Sequence, residues 1–262
     1  MTIGIMAAMH DEIAGLVRHI SEQGDSTVRR VGTRDFYVGQ LEGQACVIVL
    51  SGIGKVAAAS TAVSLIHQFG VTEIVFSGLA GGLAKQVQVG DVVIADRLIQ
   101  HDMDARPLFP RYEIPLSGIT EFAVSPALRT ALHKAATHFF ENALPACVSA
   151  ATMTQFGLHA PKIHIGMIAS GDQFIGSEQQ VLRLRAELPE ALAVEMEGAA
   201  VAQICHEYAI PCTIIRTISD RADSSAHVDF LQFLSEVASK YSSGILRGYI
   251  AARGNSSIDL SI

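Results

Sequence analysis

The strongest constraint on this chain is a series of short apolar segments, each followed by a longer stretch with helical spacing. Residues 2–6, 45–50, 73–77, 89–95, 163–170 and 212–218 are dominated by Ile, Val, Ala and other apolar side chains. Residues 11–20, 56–69, 126–140, 178–188, 198–208 and 230–250 have the spacing of helices. In the first of these, Ile13, Leu16, Val17 and Ile20 share one face; the second is Ala-rich and ends at Gly70; the third begins with Pro126 in its first turn. Residues 36–41 and 45–50 flank Glu42-Gly43, a hairpin signal. Strands that are apolar on both faces and alternate with helices predict an α/β fold, a three-layer α/β/α arrangement around a mostly parallel sheet. With 262 residues, 49% of them hydrophobic, the chain can form one well-filled domain over residues 1–253, leaving 254–262 as a loose tail. Residues 100–118, with Pro107, Pro110 and Pro115, and residues 144–161 lack a clear pattern and read as irregular, the second as a surface excursion.

Charge and composition narrow the partners. Nineteen Lys+Arg against 26 Asp+Glu give a formal charge of −7, which argues against a nucleic-acid partner but leaves room for a nucleoside. No apolar run reaches the roughly 18 residues of a membrane span. The first residues lack the basic region and long apolar core of a secretion signal, so a cytoplasmic protein is expected. Cys46, Cys147, Cys205 and Cys212 are scattered through apolar sequence and are expected to be reduced packing residues.

In open α/β sheets ligands gather beyond the carboxyl ends of the strands, so the residues just after each strand are the candidates. Gly52-Ile53-Gly54-Lys55 lacks the Ser or Thr and the spaced glycine of a triphosphate loop. Like Gly78–Gly82, it reads either as a tight turn or as a place where a flat ligand meets the backbone. His101-Asp102-Met103-Asp104 has ligand-type residues without ligand spacing, and a loop of satisfied polar side chains explains it better than a metal. Glu195-Met196-Glu197 ends an apolar strand and leads into an apolar helix. If the strand continues, the two carboxylates point to opposite sides, and each needs a partner, a salt bridge or a ligand. Ser219-Asp220 repeats the pattern after 213–218, and Asp11-Glu12 follows residues 6–9 at a helix start, where acids are common in any case.

Together these blocks resemble the 5′-methylthioadenosine/S-adenosylhomocysteine nucleosidases of the nucleoside phosphorylase superfamily. The resemblance spans about residues 1–245. It is carried by Gly4-Ile5-Met6-Ala7-Ala8-Met9 with Glu12, Ser51-Gly52-Ile53-Gly54-Lys55-Val56, Ala80-Gly81-Gly82-Leu83 with Val89-Gly90-Asp91, Ser170-Gly171-Asp172 with Phe174-Ile175, Val194-Glu195-Met196-Glu197, and Ile218-Ser219-Asp220 with Ala222-Asp223. It implies one α/β domain with a central mixed sheet, usually in a homodimer, that hydrolyses the N-glycosidic bond of 5′-substituted adenosines without metal or organic cofactor. Glu12 would deprotonate the attacking water, and Asp220, aided by Ser219, would protonate N7 of adenine. Glu197 would hold the ribose hydroxyls with Met196 and Met9 nearby. Phe174 would stack on the base while the backbone at Phe174 and Ile175 reads its edge. Ile53 and Phe230 would line the 5′ pocket, with Ala80, Gly81 and Glu195 completing the substrate-binding set. Residues 101–118, through Phe109 and Tyr112, would cap the partner subunit's 5′ pocket. Leu79 stands where the family often has Ser.

The residue types suit this chemistry. Cleavage develops positive charge on the sugar and negative charge on the leaving purine, so an acid at N7, a base at the water and an anion at the ribose each act on a developing charge. The alternative, a phosphorylase, needs cations at the phosphate, whereas the first loop offers Met9 and Glu12 and places Arg29 and Arg30 far off in a polar stretch. A nucleoside-binding protein without chemistry would have no need of all three acids.

Overall fold

The structure is a computed structural model in which residues 1–22, 26–220 and 230–255 are described. In chain order, β1 (Ile3–Ala7) leads into α1 (His10–Glu22), and β2 (Thr27–Val31), β3 (Arg34–Leu41) and β4 (Gln44–Leu50) form a meander. Then come α2 (Lys55–Phe69), β5 (Glu73–Gly82), β6 (Val92–Gln100), β7 (Glu121–Ala123), α3 (Pro126–His138), α4 (Leu144–Cys147) and α5 (Ala150–Gln155). The chain continues through β8 (Ile163–Ser170), α6 (Glu178–Glu187), β9 (Ala191–Glu195), α7 (Gly198–Glu207), β10 (Cys212–Asp220), α8 (Phe230–Phe233) and α9 (Ser239–Asn255). Five-residue π turns, Phe139–Ala143 and Leu234–Ala238, join α3 to α4 and α8 to α9.

The strands form one mixed sheet, as expected, but it does not stay open. β2, β3, β4, β1 and β5 follow one another. β5 then pairs with both β9 and β10, and β10, β6, β8 and β9 complete a ring. Ladders β1–β4, β1–β5, β5–β10, β6–β8 and β8–β9 are parallel, while β6–β10 and β5–β9 close the ring antiparallel. Register shifts in the β5–β10, β6–β8 and β8–β9 ladders supply the bends that closure requires.

Side-chain alternation builds the layers. Ile3, Ile5 and Ala7 of β1 and Val75 of β5 face an apolar cluster shared with α1, α3 and α9 (Leu16, Leu132, Tyr241, Ile245). Met6, Ile74 and Phe76 face the opposite cluster, shared with α2 and α7 (Ala58, Leu65, Val201). A third cluster packs α6 on β8 and β9 through Val181, Leu184, Met167 and Val194. Each fully buried aliphatic side chain contributes about 1.5–3 kcal/mol. Helix ends follow local chemistry: Ser125 and Ser177 accept backbone N–H bonds at the starts of α3 and α6, and Gly70 closes α2 in the left-handed conformation.

Some expectations change. β2 was not expected from the sequence, because its polar, exposed residues show no apolar face; β7 is only three residues long. Residues 144–161 are not merely a surface excursion: Leu144, Val148 and Leu158 are buried, and Phe156 packs edge-on to Phe233 at 5.4 Å. The last helix runs through Asn255, into the expected tail; residues 256–262 of that tail, and Ala222 and Asp223, lie outside the described residues. The four cysteines are free, and all but Cys147 are buried. Among the described residues no helix is long and apolar enough to cross a membrane.

The turn before β6 is tightly constrained. Gly90 has φ +84°, and a Cβ there would lie 2.3 Å from Leu158 Cδ2. Asp91 beside it accepts bonds from the Gln88 and Lys162 amides at 2.9 and 2.8 Å and sits 2.8 Å from His164 Nε2. Gly90→Ala is expected to lower the unfolding free energy by about 1–3 kcal/mol, read by urea denaturation.

Candidate functional site

The geometry of the ring decides where the site forms. Gly81 of β5 lies opposite both Val194 of β9 and Asp220 of β10. The segments 195–197 and 219–220 therefore leave the sheet on either side of one glycine. The Ser51 amide bonds the Ala7 carbonyl at 2.8 Å, which brings the loops after β1 and β4 to the same place. A cavity of about 270 Å³ opens there. Glu12, Glu197 and Asp220 all line it, as do Met9, Ile53, Ala80, Gly81, Phe174, Ile175, Glu195, Met196, Ser219 and Phe230. Ala8, Leu79, Gln173 and Val194 complete the wall. None of these described lining residues is Lys, Arg or His.

Glu12 is the third residue of α1 and reaches back over the helix start. Its Oε2 accepts the Ala8 and Met9 amides at 2.9 and 2.8 Å, and its Oε1 accepts the Leu79 amide at 3.1 Å. This is the carboxylate half of a capping box, so the common helix-start role and the site role coincide in one side chain. Burial pushes its carboxyl above the usual range, against the lowering effect of those amides and of Arg216.

The two acids of 195–197 divide as the alternation suggests. Glu195 is turned inward to a buried ion pair: Arg216 Nη2 and Nε donate to its Oε2 at 2.6 and 3.2 Å. Gly198 N–H donates to both carboxylate oxygens, Glu197 N–H to one, and the Ser170 hydroxyl to the other. Glu195 borders the cavity, and its oxygens are engaged in capping α7 and in the salt bridge with Arg216. Glu197 instead accepts the Gly54 amide at 2.8 Å through Oε1. Burial, then the neighbouring Glu195 charge, pushes its carboxyl up to about 7. On β10, the Ser219 hydroxyl donates to Asp220 Oδ2 at 2.7 Å.

The apolar residues sort by position. Ile175 is buried, whereas Phe174 and Ile53 are 56% and 60% exposed at the mouth. Phe109 and Tyr112 do not line this cavity: Tyr112 packs with the cluster around Leu83 and donates to Glu187 at 3.4 Å, with the Arg111 guanidinium 4.5 Å from its ring. In His101-Asp102-Met103-Asp104 the acids are paired, Asp102 to Lys55 and Asp104 to Arg106, but His101 Nε2 is buried with no hydrogen-bond partner among the described residues, so the expected loop of satisfied polar side chains holds for the acids and not for the histidine. Among the described residues no group of three or more His, Cys, Asp or Glu could hold a metal.

Sequence reasoning missed Arg216. It is 1% exposed, lies 4.2 Å from the centre of the Phe76 ring and pairs with Glu195 behind the cavity wall. The signal was present: one arginine in the middle of an apolar strand cannot be buried without a carboxylate to meet it. Arg216→Met is expected to cost about 3–5 kcal/mol of stability by leaving Glu195 charged and unpaired. Adding Glu195→Gln should recover about half of that loss in chemical denaturation, because the pair is the coupled unit.

Comparison with known proteins places the chain in a family. The Phosphorylase superfamily profile matches residues 2–251. A 5′-methylthioadenosine/S-adenosylhomocysteine nucleosidase of Mycobacterium bovis is 37% identical over 94% of this chain and 96% of its own length. The solved nucleosidase of Neisseria meningitidis, in complex with methylthio-immucillin-A, superposes with a TM-score of 0.82 at 32% identity, covering 96% of this chain and 99% of that one. A futalosine hydrolase of Helicobacter pylori superposes with a TM-score of 0.80 at 32% identity over 96% and 97% of the two chains. The chain belongs to the 5′-methylthioadenosine/S-adenosylhomocysteine nucleosidase family of the phosphorylase superfamily.

Proposed function

We propose that the protein hydrolyses the N-glycosidic bond of 5′-substituted adenosines and releases adenine. The observation that carries this reading is the meeting of Glu12, Glu197 and Asp220 around one mostly apolar cavity with no cation among its described lining residues. The relatives act, by their names, on methylthioadenosine, adenosylhomocysteine or futalosine, and the substrate class follows theirs. It extends to 5′-deoxyadenosine and aminofutalosine, which differ only beyond C5′. Adenine and a 5-substituted ribose are the products, and with methylthioadenosine the sugar feeds methionine salvage.

Purine and sugar occupy the cavity with the base against Phe174 and Ile175 and the 5′ group toward Ile53 and Phe230. Asp220, oriented by Ser219, delivers a proton to N7, so that the purine departs neutral. Glu12 takes the proton of a water that attacks C1′ from the opposite face. Glu197 accepts from the ribose hydroxyls, and its charge stabilises the oxocarbenium ion that precedes attack. Two carboxylates acting on opposite ends of one bond each supply about 10²–10⁴ in rate. An attacking phosphate dianion would face the Glu12 carboxylate without a cation to offset it, which disfavours phosphorolysis.

We further propose a homodimer in which residues 101–118 cap the neighbouring site through Phe109 and Tyr112. The exposed apolar side chains of Val56, Leu108, Leu116 and Leu231 give such an interface its material. Light scattering should then report twice the monomer mass.

Adenine release from methylthioadenosine is expected in phosphate-free buffer, with Glu12→Gln and Asp220→Asn each slowing it by about 10²–10⁴ while melting near wild type. A dependence on phosphate, or full activity in either variant, contradicts the reading. Glu197 ionises only as pH rises through about 7, so kcat/KM should fall on the acid side of that point. Glu197→Gln should remove that limb while lowering activity throughout. The same raised value makes this group's contribution to folding favourable at low pH, below its ordinary 4.5, and lost as pH rises through about 7.

A further inference from the structure

Lys55 is the first residue of α2 and is held at both ends. Its Nζ donates to Asp102 Oδ1 at 2.6 Å and to Gln100 Oε1 at 2.9 Å. Its backbone N–H donates to Asp172 Oδ1 at 2.8 Å, and the Asp172 N–H donates to Asp102 Oδ2 at 2.8 Å. The three residues thus close a ring that joins the loops after β4, β6 and β8. The Lys55 and Asp102 side chains are only 16% and 17% exposed, so solvent screens this ion pair less than a surface pair. Burial works against the Asp102 charge, but the bond from Lys55 and the Asp172 amide hold its carboxyl below the usual range.

None of Lys55, Gln100, Asp102 or Asp172 lines the cavity. The residue next to Lys55 does the reaching. Gly54 has φ +97°, and its N–H is the bond to Glu197 Oε1. A Cβ on Gly54 would come within 3.0 Å of Asp172 Oδ1, so the peptide is threaded between the Asp172 and Glu197 carboxylates. On the other side Gln100 passes a 2.7 Å bond to Gln203 on α7, the helix that Glu197 precedes. Donor loop and acceptor helix are tied to the same lysine.

We propose that Lys55 and Asp102 are a positioning pair that fixes the Gly54 amide on Glu197 and thereby sets how tightly the cavity grips the ribose hydroxyls. The proposal rests on the nucleosidase reading above. Neither residue touches substrate. Loss of the ring lets the 52–55 loop swing, and Glu197 then divides its time between rotamers instead of presenting one oxygen to the sugar.

The test compares methylthioadenosine with its analogue lacking both ribose hydroxyls, whose binding does not pass through Glu197. Lys55→Met is expected to lower kcat/KM for methylthioadenosine about tenfold, in KM and also in kcat because the same carboxylate stabilises the oxocarbenium ion, and to lower that of the dideoxy analogue by less than about threefold. Lys55→Arg, which keeps the charge, is expected to stay within about threefold of wild type for both. Should Lys55→Met fail to fold, Lys55→Gln is read by the same ratio. Parallel losses for both substrates, or no loss for either, overturn the positioning role and leave the wild-type activity standing. A wild-type protein that releases no adenine from methylthioadenosine overturns the nucleosidase reading and this role with it.

Discussion

Burying carboxylates side by side is costly, and this protein buries four of them, Glu12 in the first turn of α1 and Glu195, Glu197 and Asp220 at or just past strand ends, around one cavity. The rest of the structure can be understood as the means of keeping them there. Arg216 offsets one charge directly and lies close enough to Glu12 and Glu197 to favour their ionised forms. Backbone amides do the remainder: Glu12 takes three from the start of α1 and the end of β5, and Glu195 takes those that open α7. Helix starts are where unpaired N–H groups are concentrated, so strands that each run straight into a helix bring those donors to the acids. The balance is incomplete at Glu197: burial, and then the like charge of Glu195, push its carboxyl up to about 7 against the lowering effect of Arg216 and the single Gly54 amide.

Much of the fold was legible because buried strands and helices have different periods. β1, β4, β5, β8 and β10 are apolar enough to be read from residue type alone, and Gly70 and Pro126 mark helix ends for steric reasons. The ring closure was not legible. It depends on small register shifts within long strands, and a shift between Ile218 and Asp220 leaves no trace in composition. β2 was hidden for the opposite reason: it sits at the sheet edge, among the described strands pairs with β3 alone, and has little to bury.

The candidate site was legible where a charge interrupts an apolar run. Glu195, Glu197 and Asp220 stand out in this way, and all border the cavity. Which of the first two faces it was less certain from local pattern, since alternation gives opposite faces but not the identity of each; the position of Arg216 decides it. Lys55, Asp102 and Asp172 each look like ordinary loop polarity in sequence, and their common purpose exists only once three loops far apart in the chain are adjacent.

The central claim is that these acids converge on one sugar–purine bond. A crystal structure with methylthio-immucillin-A bound tests it most directly. The account predicts Asp220 within hydrogen-bond distance of the purine N7 position, Glu197 on the ribose hydroxyls, and Glu12 on the face of the sugar opposite the base. A ligand seated elsewhere, or one with any of these three carboxylates turned away from it, would contradict the account.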